Sequence, residues 1–288
     1  RKIFHDLNPK EPEHFYYTEI LAFHEQMQVE DPYYGYNYGH FTIADNMSLS
    51  DEQIKNVLRT YQKGTVWYDR DIKGQRIVAE GIIFRYFAND AEPYLFDEEE
   101  IFDGERCLIP FSKIVMGIDF GGNGSKTTYV LNGYINGYKE FRILEEDSLP
   151  ITEEIDAKAI CDKFIEFYRL ALKKYKRVDW IFPDSASTTL INSLRSAARE
   201  AKLSPKIIVG CKKNEIKDRP RTTDMLFTTG RMKINAKCTD LITAIKSLRW
   251  DEKDPTIPED KNIGNCNDWW DAYNYTMLNF IQYIDLAR

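Results

Sequence analysis

The spacing of apolar residues changes along this chain, and each change predicts a different kind of element. Over residues 13–27 the apolar positions Phe15, Ile20, Leu21 and Phe23 share one face of a 3.6-residue turn, which predicts an amphipathic helix. A second helix follows. Ser50 stands before Asp51 and Glu52, the apolar face is Ile54, Val57, Leu58 and Tyr61, and Gly64 ends the run: an N-cap, first-turn acids and a glycine stop. Residues 76–87, RIVAEGIIFRYF, read as a strand. Residues 1–75 are therefore expected to be mainly helical, with aromatic loops between. The acidic stretch Asp97-Glu98-Glu99-Glu100, running on to Pro110, shifts the composition and marks a linker.

From Lys113 the period shortens to that of strands. Residues 114–120 form a short apolar strand carrying Asp119 near its end. Residues 127–135 and 140–145 are two more, joined through Asn136-Gly137, a hairpin turn signal. Thr152 is positioned to cap a helix that opens with Glu153 and Glu154 and has Ile155, Ala159, Ile160, Phe164, Phe167 and Leu170 on its apolar face. A strand at 178–183 ends in Asp184. A helix at 187–201, a strand at 206–211 and helices at 238–248 and 268–285 complete the pattern. The order is βββαβαβα. Hairpin-linked strands imply antiparallel pairing, and the later alternation implies parallel crossovers. A mixed α/β sheet of this order with flanking helices is the ribonuclease-H-like arrangement. The expected division is 1–88, a linker over 89–112, and a second domain over 113–288.

Composition narrows the function. With 288 residues, 43% of them hydrophobic and 14% aromatic, the chain can bury a large core, and its length favours two domains. No run of eighteen apolar residues is present to span a membrane. Arg1-Lys2-Ile3-Phe4-His5-Asp6 has neither an initiating Met nor a signal-peptide core, so the chain reads as a piece of something longer. The five cysteines are scattered, with no CxxC pair, which argues against a zinc knuckle and fits a reducing cytosol. All four histidines lie in the first forty residues. A metal site further along must be built from carboxylates, and oxygen ligands select magnesium or manganese over zinc. The net charge of −7 gives no global support for nucleic-acid binding. Between Arg199 and Arg221, however, eight basic residues face three acidic ones; this is a solvated loop unless it borders a site that handles phosphates.

Such a site is available in the acids. Asp119 and Asp184 fall at the carboxyl ends of strands, the edge where open α/β sheets place their sites. Asp268 and Asp271 are three apart, so a helix puts both on one face. Carboxylates gathered this way repel unless cations neutralise them, and two metal ions roughly 3.5–4 Å apart can activate water and stabilise a leaving oxygen. Each acid also has an ordinary reading, as turn former or cap, and Asp268 suits the N-cap of the last helix as well as it suits a metal. It is the joint pattern that points to chemistry.

Other features keep two readings each. GIDFGGNGSKT is no Walker A loop, because Ser125 separates Gly124 from Lys126. It resembles the first phosphate loop of actin-like and sugar kinases, an alternative that would make the second domain an ATP-binding module. Against that, Asp184 is followed by Ser185 rather than glycine, and no later glycine cluster occurs. Gly121, Gly122 and Gly124 otherwise form a turn. Trp269 and Trp270 suit base stacking or core packing. Arg231 and Lys233 suit a phosphate contact or a surface turn. A non-catalytic DNA clamp is a third reading of the basic stretch.

VMGIDFGGNGSKTTYV, WIFPDSAS, VGCKKNEIKDR, LFTTGRMKI, SLRWDEK and NDWWDAYNY, in that order, resemble the large terminase subunit of tailed bacteriophages and prophages. KIFHDLNPKEPEHFYYTEIL, HFTIADNMSLSDEQI and GQRIVAEGIIF are similar to the tail of that family's P-loop ATPase domain, so the resemblance covers nearly the whole chain. It implies a divalent-metal-dependent endonuclease, using two Mg²⁺ or Mn²⁺ ions, that cuts concatemeric double-stranded DNA in the host cytoplasm, with a portal protein and a small terminase subunit as partners. Asp119, Asp184 and Asp271 match the family's metal-binding acids. Asp268 stands where many members have histidine, which keeps a possible ligand but adds negative charge. Lys212 and Lys213 fit a basic loop that could hold the DNA backbone, and Lys217, Arg219 and Arg221 beyond them are further candidate DNA-binding residues. Asn8 matches a segment that couples ATP hydrolysis to movement. The Walker motifs themselves would precede Arg1, so ATP is expected to serve only the longer parent.

Overall fold

The computed structural model describes residues 3–10, 12, 14–77, 79–121, 125–150, 156–212, 216–259 and 266–287. The first part is helical, as its spacing predicts. Tyr16–Leu21 winds as a π-helix into α1 (Ala22–Glu30), and α2 (Asp51–Leu58) opens on a capping box in which Ser50 and Gln53 exchange side-chain and backbone hydrogen bonds. The strand expected over 76–87 does not form. Gly81 turns the chain at φ +69°, Ile82 makes a single bridge to Arg249, and a short helix α3 (Arg85–Asn89) follows. Ile83, Phe84 and Phe87 explain why. All three are buried against the second half of the chain, so tertiary packing overrides the β-branched composition.

The expected linker, 89–112, is structured. β1 (Leu95–Phe96) is an edge strand of the main sheet, and β2 (Phe102–Asp103) pairs with β3 (Arg106–Cys107) in a small hairpin. The acidic run is held in place: Glu98 forms ion pairs with Lys174 and Lys237.

β4 (Lys113–Asp119), β5 (Thr127–Ile135) and β6 (Glu140–Leu149) form the antiparallel meander. Asn136 and Gly137 both take positive φ in the turn between β5 and β6, as the hairpin signal requires. Then come α4 (Ala157–Tyr175), β7 (Trp180–Pro183), α5 (Thr188–Glu200), α6 (Asp218–Thr228), β8 (Met232–Asn235), α7 (Thr239–Ser247), α8 (Cys266–Leu278) and α9 (Ile281–Leu286). Asp156 caps α4, accepting from the Lys158 and Ala159 N–H groups; Thr152 and Ile155 lie outside the described residues. The segment expected as a strand over 206–211 runs beside β7 with backbone bonds from Ile181, Val209 and Cys211 about one parallel bridge, Ile181 to Ile208. In this half two further elements were not anticipated. α6 replaces the end of the expected basic loop, and β8, too short to show a period, pairs Lys233 with Arg142 of β6. The expected last helix is broken into α8 and α9.

The six-stranded sheet has the order β1-β8-β6-β5-β4-β7, with β5 alone running against the others. This is the ribonuclease-H-like mixed sheet, extended by β8 and β1. Alternation along β4 divides the core in two. Ile114, Met116 and Ile118 face α4 and α5, whereas Val115 faces the layer built from α6, α7, α8 and residues 67–91. Gly117 and Asp119 share Val115's side.

Candidate active site at the carboxyl edge of the sheet

β4 and β7 are parallel neighbours, with Gly117 opposite Phe182 and Ile118 opposite Pro183. The next pair in this register is Asp119 and Asp184. Adjacent strands lie about 4.8 Å apart, so the fold itself sets these two carboxylates side by side. Asp184 is steadied as the strand ends: its backbone N–H donates to Ile118, and its Oδ1 accepts from the Ala186 N–H at 3.0 Å.

The third acid arrives on α8, and Gly117 is the reason it can. A Cβ at Gly117 would lie 2.0 Å from the Ala272 carbonyl oxygen, so only glycine lets the helix settle on β4 two residues before Asp119. Polar contacts fix the helix at this depth. The Tyr134 hydroxyl donates to the Thr276 carbonyl at 2.6 Å, and Asn132 donates to the Thr276 hydroxyl at 3.1 Å. Asp268, Asp271 and Tyr275, spaced three and four apart, then share a face of α8.

Asp268 binds protein rather than capping the helix. Its Oδ2 accepts from the Lys126 N–H at 2.7 Å, and its carbonyl accepts from the Thr128 hydroxyl at 2.8 Å, so it ties the start of β5 to α8. Gly121 donates its N–H to the Thr127 hydroxyl at 3.0 Å. Gly122, Asn123 and Gly124 lie outside the described residues.

The acids lie near enough to act on one another's charge. Burial pushes the Asp119 carboxyl well above the usual carboxylate range, and the charges of Asp271, Asp268 and Asp184 push it further; a hydrogen bond from Tyr275 opposes them. Burial also raises Asp268, against the Lys126 N–H. The Tyr275 hydroxyl is raised by burial and by the same acids, Asp119, Asp271 and Asp184. Cys211, buried beside them, is pushed up to about 12, mainly by burial.

An all-oxygen donor set under mutual repulsion suits a hard divalent cation. As the side chains stand, however, no group of three or more metal-binding residues among those described is closed enough to hold an ion. Three of the acids have protein partners. Asp184 faces the Ala186 N–H, Asp268 faces Lys126, and Asp271 is ion-paired with Arg219 at 2.7 Å.

The expected DNA-binding residues divide. Lys212 is exposed next to the site, its N–H donating to Asn279, and Lys217 is exposed just before α6. Lys213 lies outside the described residues. Arg219 turns inward to Asp271, and Arg221 spans to Asp71 and the Tyr61 hydroxyl. Arg231 clamps the Lys139, Tyr138 and Ile284 carbonyls, and Trp269 and Trp270 are buried, so these three serve packing. Asn8 is exposed, ahead of the first helix. Tyr275, Thr128 and Gly117 were not anticipated. The four-residue spacing from Asp271 to Tyr275 and the glycine two before Asp119 were the available signals.

No protein-family model and no curated relative matches the sequence. Solved structures do. The large terminase of the thermophilic bacteriophage D6E superposes with a TM-score of 0.68 at 22% identity, over 96% of this chain and 62% of that one. Its complex with ADP gives 0.69 at 22% identity, over 96% and 61%, and its complex with ATP-gamma-S gives 0.68 at 22%, over 96% and 62%. The fold is that of a large terminase. The chain spans about 62% of the length of the D6E terminase, and the shared fold takes in the helical first part as well as the sheet. Among the described residues no helix is long and apolar enough to cross a membrane.

Proposed function

We propose that this chain is the nuclease-bearing part of a phage large terminase, a divalent-metal-dependent endonuclease that cuts concatemeric double-stranded DNA during packaging. The observation that carries the reading is the convergence of Asp119, Asp184 and Asp271 at the carboxyl edge of a terminase sheet. Asp119, Asp184 and Asp271 would hold Mg²⁺ or Mn²⁺, with Asp268 beside them. Such ions, when bound, activate water and stabilise the leaving oxygen of an in-line phosphodiester displacement. Tyr275 orients Asp119 by its hydrogen bond. Asp268 keeps the start of β5 against α8, and Gly117 sets the depth of that helix. Lys212 and Lys217, with Lys213 between them in sequence, position the DNA backbone. The parent protein would add ATP-driven translocation, with Asn8 in the coupling segment, and would work with a portal protein and a small subunit in the host cytoplasm. This chain contains no G-x-x-x-x-G-K-[ST] motif and is expected to turn over no ATP alone.

The test is plasmid cleavage with Mn²⁺ or Mg²⁺, stopped by EDTA. Asp119→Asn and Asp184→Asn should each lower the rate at least about 100-fold with unchanged circular dichroism. Cutting at the wild-type rate by either variant rejects the assignment. DNA binding without metal-dependent cutting would make the chain a clamp instead.

A further inference from the structure

Arg219 is the feature that a simple acid cluster does not explain. It is the second residue of α6, and its Nη1 lies 2.7 Å from Asp271 Oδ1. Its side chain is only 10% exposed, against 35% for Asp271, so the pair is not a screened surface contact. Its guanidinium also stands 6.0 Å from the ring of Tyr275, the residue whose side chain hydrogen-bonds Asp119. The residues around it are fixed. Arg221 is held by Asp71 and Tyr61, and Thr223 contacts the Tyr273 hydroxyl at 3.1 Å, so α6 stays in place if one side chain rotates.

A guanidinium and a divalent cation at the same carboxylate repel, and the repulsion is strong where water is scarce. Arginine is also the side chain best shaped to take a phosphate in a carboxylate's stead. Lys212 and Lys217 place the expected DNA path at this edge. The incoming phosphate is thus an alternative partner for Arg219, and Asp271, relieved of this guanidinium, can turn to the metal.

We propose that Arg219 gates the site by charge exchange: it holds Asp271 while DNA is absent and passes to a DNA phosphate as a divalent cation takes its place. The inference rests on the nuclease reading and adds its regulation. Metal and DNA then bind cooperatively, and by linkage each tightens the other equally. Free protein is a poor metal binder, which restrains cutting until DNA is in the groove.

The experiment uses the full chain. Mn²⁺ binding is measured by calorimetry for wild type, Arg219→Gln and Arg219→Lys, and binding of a short DNA duplex by fluorescence anisotropy in EDTA and in saturating Mn²⁺. Arg219→Gln should bind Mn²⁺ about tenfold tighter than wild type, with Arg219→Lys close to wild type. Wild type should bind duplex about tenfold tighter with Mn²⁺ than in EDTA, and Arg219→Gln should lose that difference. Unchanged or weaker Mn²⁺ binding by a folded Arg219→Gln overturns the gate and leaves Arg219 a structural partner. If Arg219→Gln does not fold, the wild-type anisotropy decides alone: no gain from Mn²⁺ overturns the gate. Absence of Mn²⁺ binding that Asp119→Asn can remove would instead strike the nuclease reading itself.

Discussion

At Asp119 the folded protein holds a carboxyl among three others, with burial and repulsion both disfavouring its charge. The unfolded chain bears no such cost at pH 8, where an ordinary Asp is fully ionised. Asp119→Asn removes the penalty from the folded state alone. It should therefore raise stability by about 1 kcal/mol at pH 8 without metal while abolishing cutting. Urea unfolding checks the gain, and destabilisation would mean the acids are not crowded. Gly117→Ala acts oppositely. The added Cβ meets the Ala272 carbonyl, which belongs to a helix pinned by Tyr134 and Asn132 and cannot easily retreat. A loss of about 1–3 kcal/mol is expected, with cutting impaired because Asp271 moves with α8. Wild-type stability in that variant would show that the helix is free to shift.

Between elements, two carboxyls, the half-buried Glu146 and the buried Asp224, join parts of the fold and make its stability depend on pH. Glu146, on β6, accepts the Asp240 and Leu241 N–H groups at the start of α7, and burial raises it from 4.5 to about 7 against those bonds. Asp224, on α6, accepts from the Tyr86 hydroxyl at 2.9 Å and is likewise raised by burial to about 7. In each case the folded value lies above the unfolded one. The folded protein keeps a proton that the unfolded chain has released, so the contribution of each group is fullest at low pH and falls as pH rises from about 4 towards 7. The loss is on the order of 3–4 kcal/mol per group. Glu146→Gln should flatten roughly half of that slope in unfolding curves taken at pH 5, 6 and 7. An unchanged slope would assign it to other groups. Neither carboxyl was legible in the sequence, because its burial is decided by elements far away in the chain. The same is true of β8 and α6, whereas the meander of β4, β5 and β6 was readable from alternation and the Asn136-Gly137 turn. Asp119 and Asp184 were legible because strand ends can be located from local pattern. The pairing of Asp271 with Arg219 joins residues 52 apart through tertiary packing, and it was not.

Across the whole molecule, the boundary suggested by composition and the boundary suggested by packing are different things. Composition shifts near residue 97, yet Trp67, Ile83, Phe84 and Phe87 are buried in the same core as Phe227, Trp250 and Trp270. The Ile83 N–H donates to the Leu248 carbonyl, the Trp250 N–H to the Gly81 carbonyl, and Arg221 reaches back to Asp71. β1 completes the sheet edge beyond β8. The first fifty residues contrast with this. Phe4, Phe15, Phe23, Tyr33, Phe41 and Met47 are all exposed, so little of the core depends on them. Two truncations separate the possibilities. A chain starting at residue 60 keeps the aromatic cluster and should unfold within a few degrees of the full chain. A chain starting at residue 113 loses Phe84, Phe87 and β1 together. Removing even one buried Phe costs about 3–5 kcal/mol, comparable with much of a domain's net stability. That shorter chain should therefore be unfolded or aggregated at 25 °C by circular dichroism and size-exclusion chromatography. A cooperative, soluble 113–288 fragment would show instead that the ribonuclease-H-like sheet folds without residues 65–112, and that their packing is an added layer rather than part of the core.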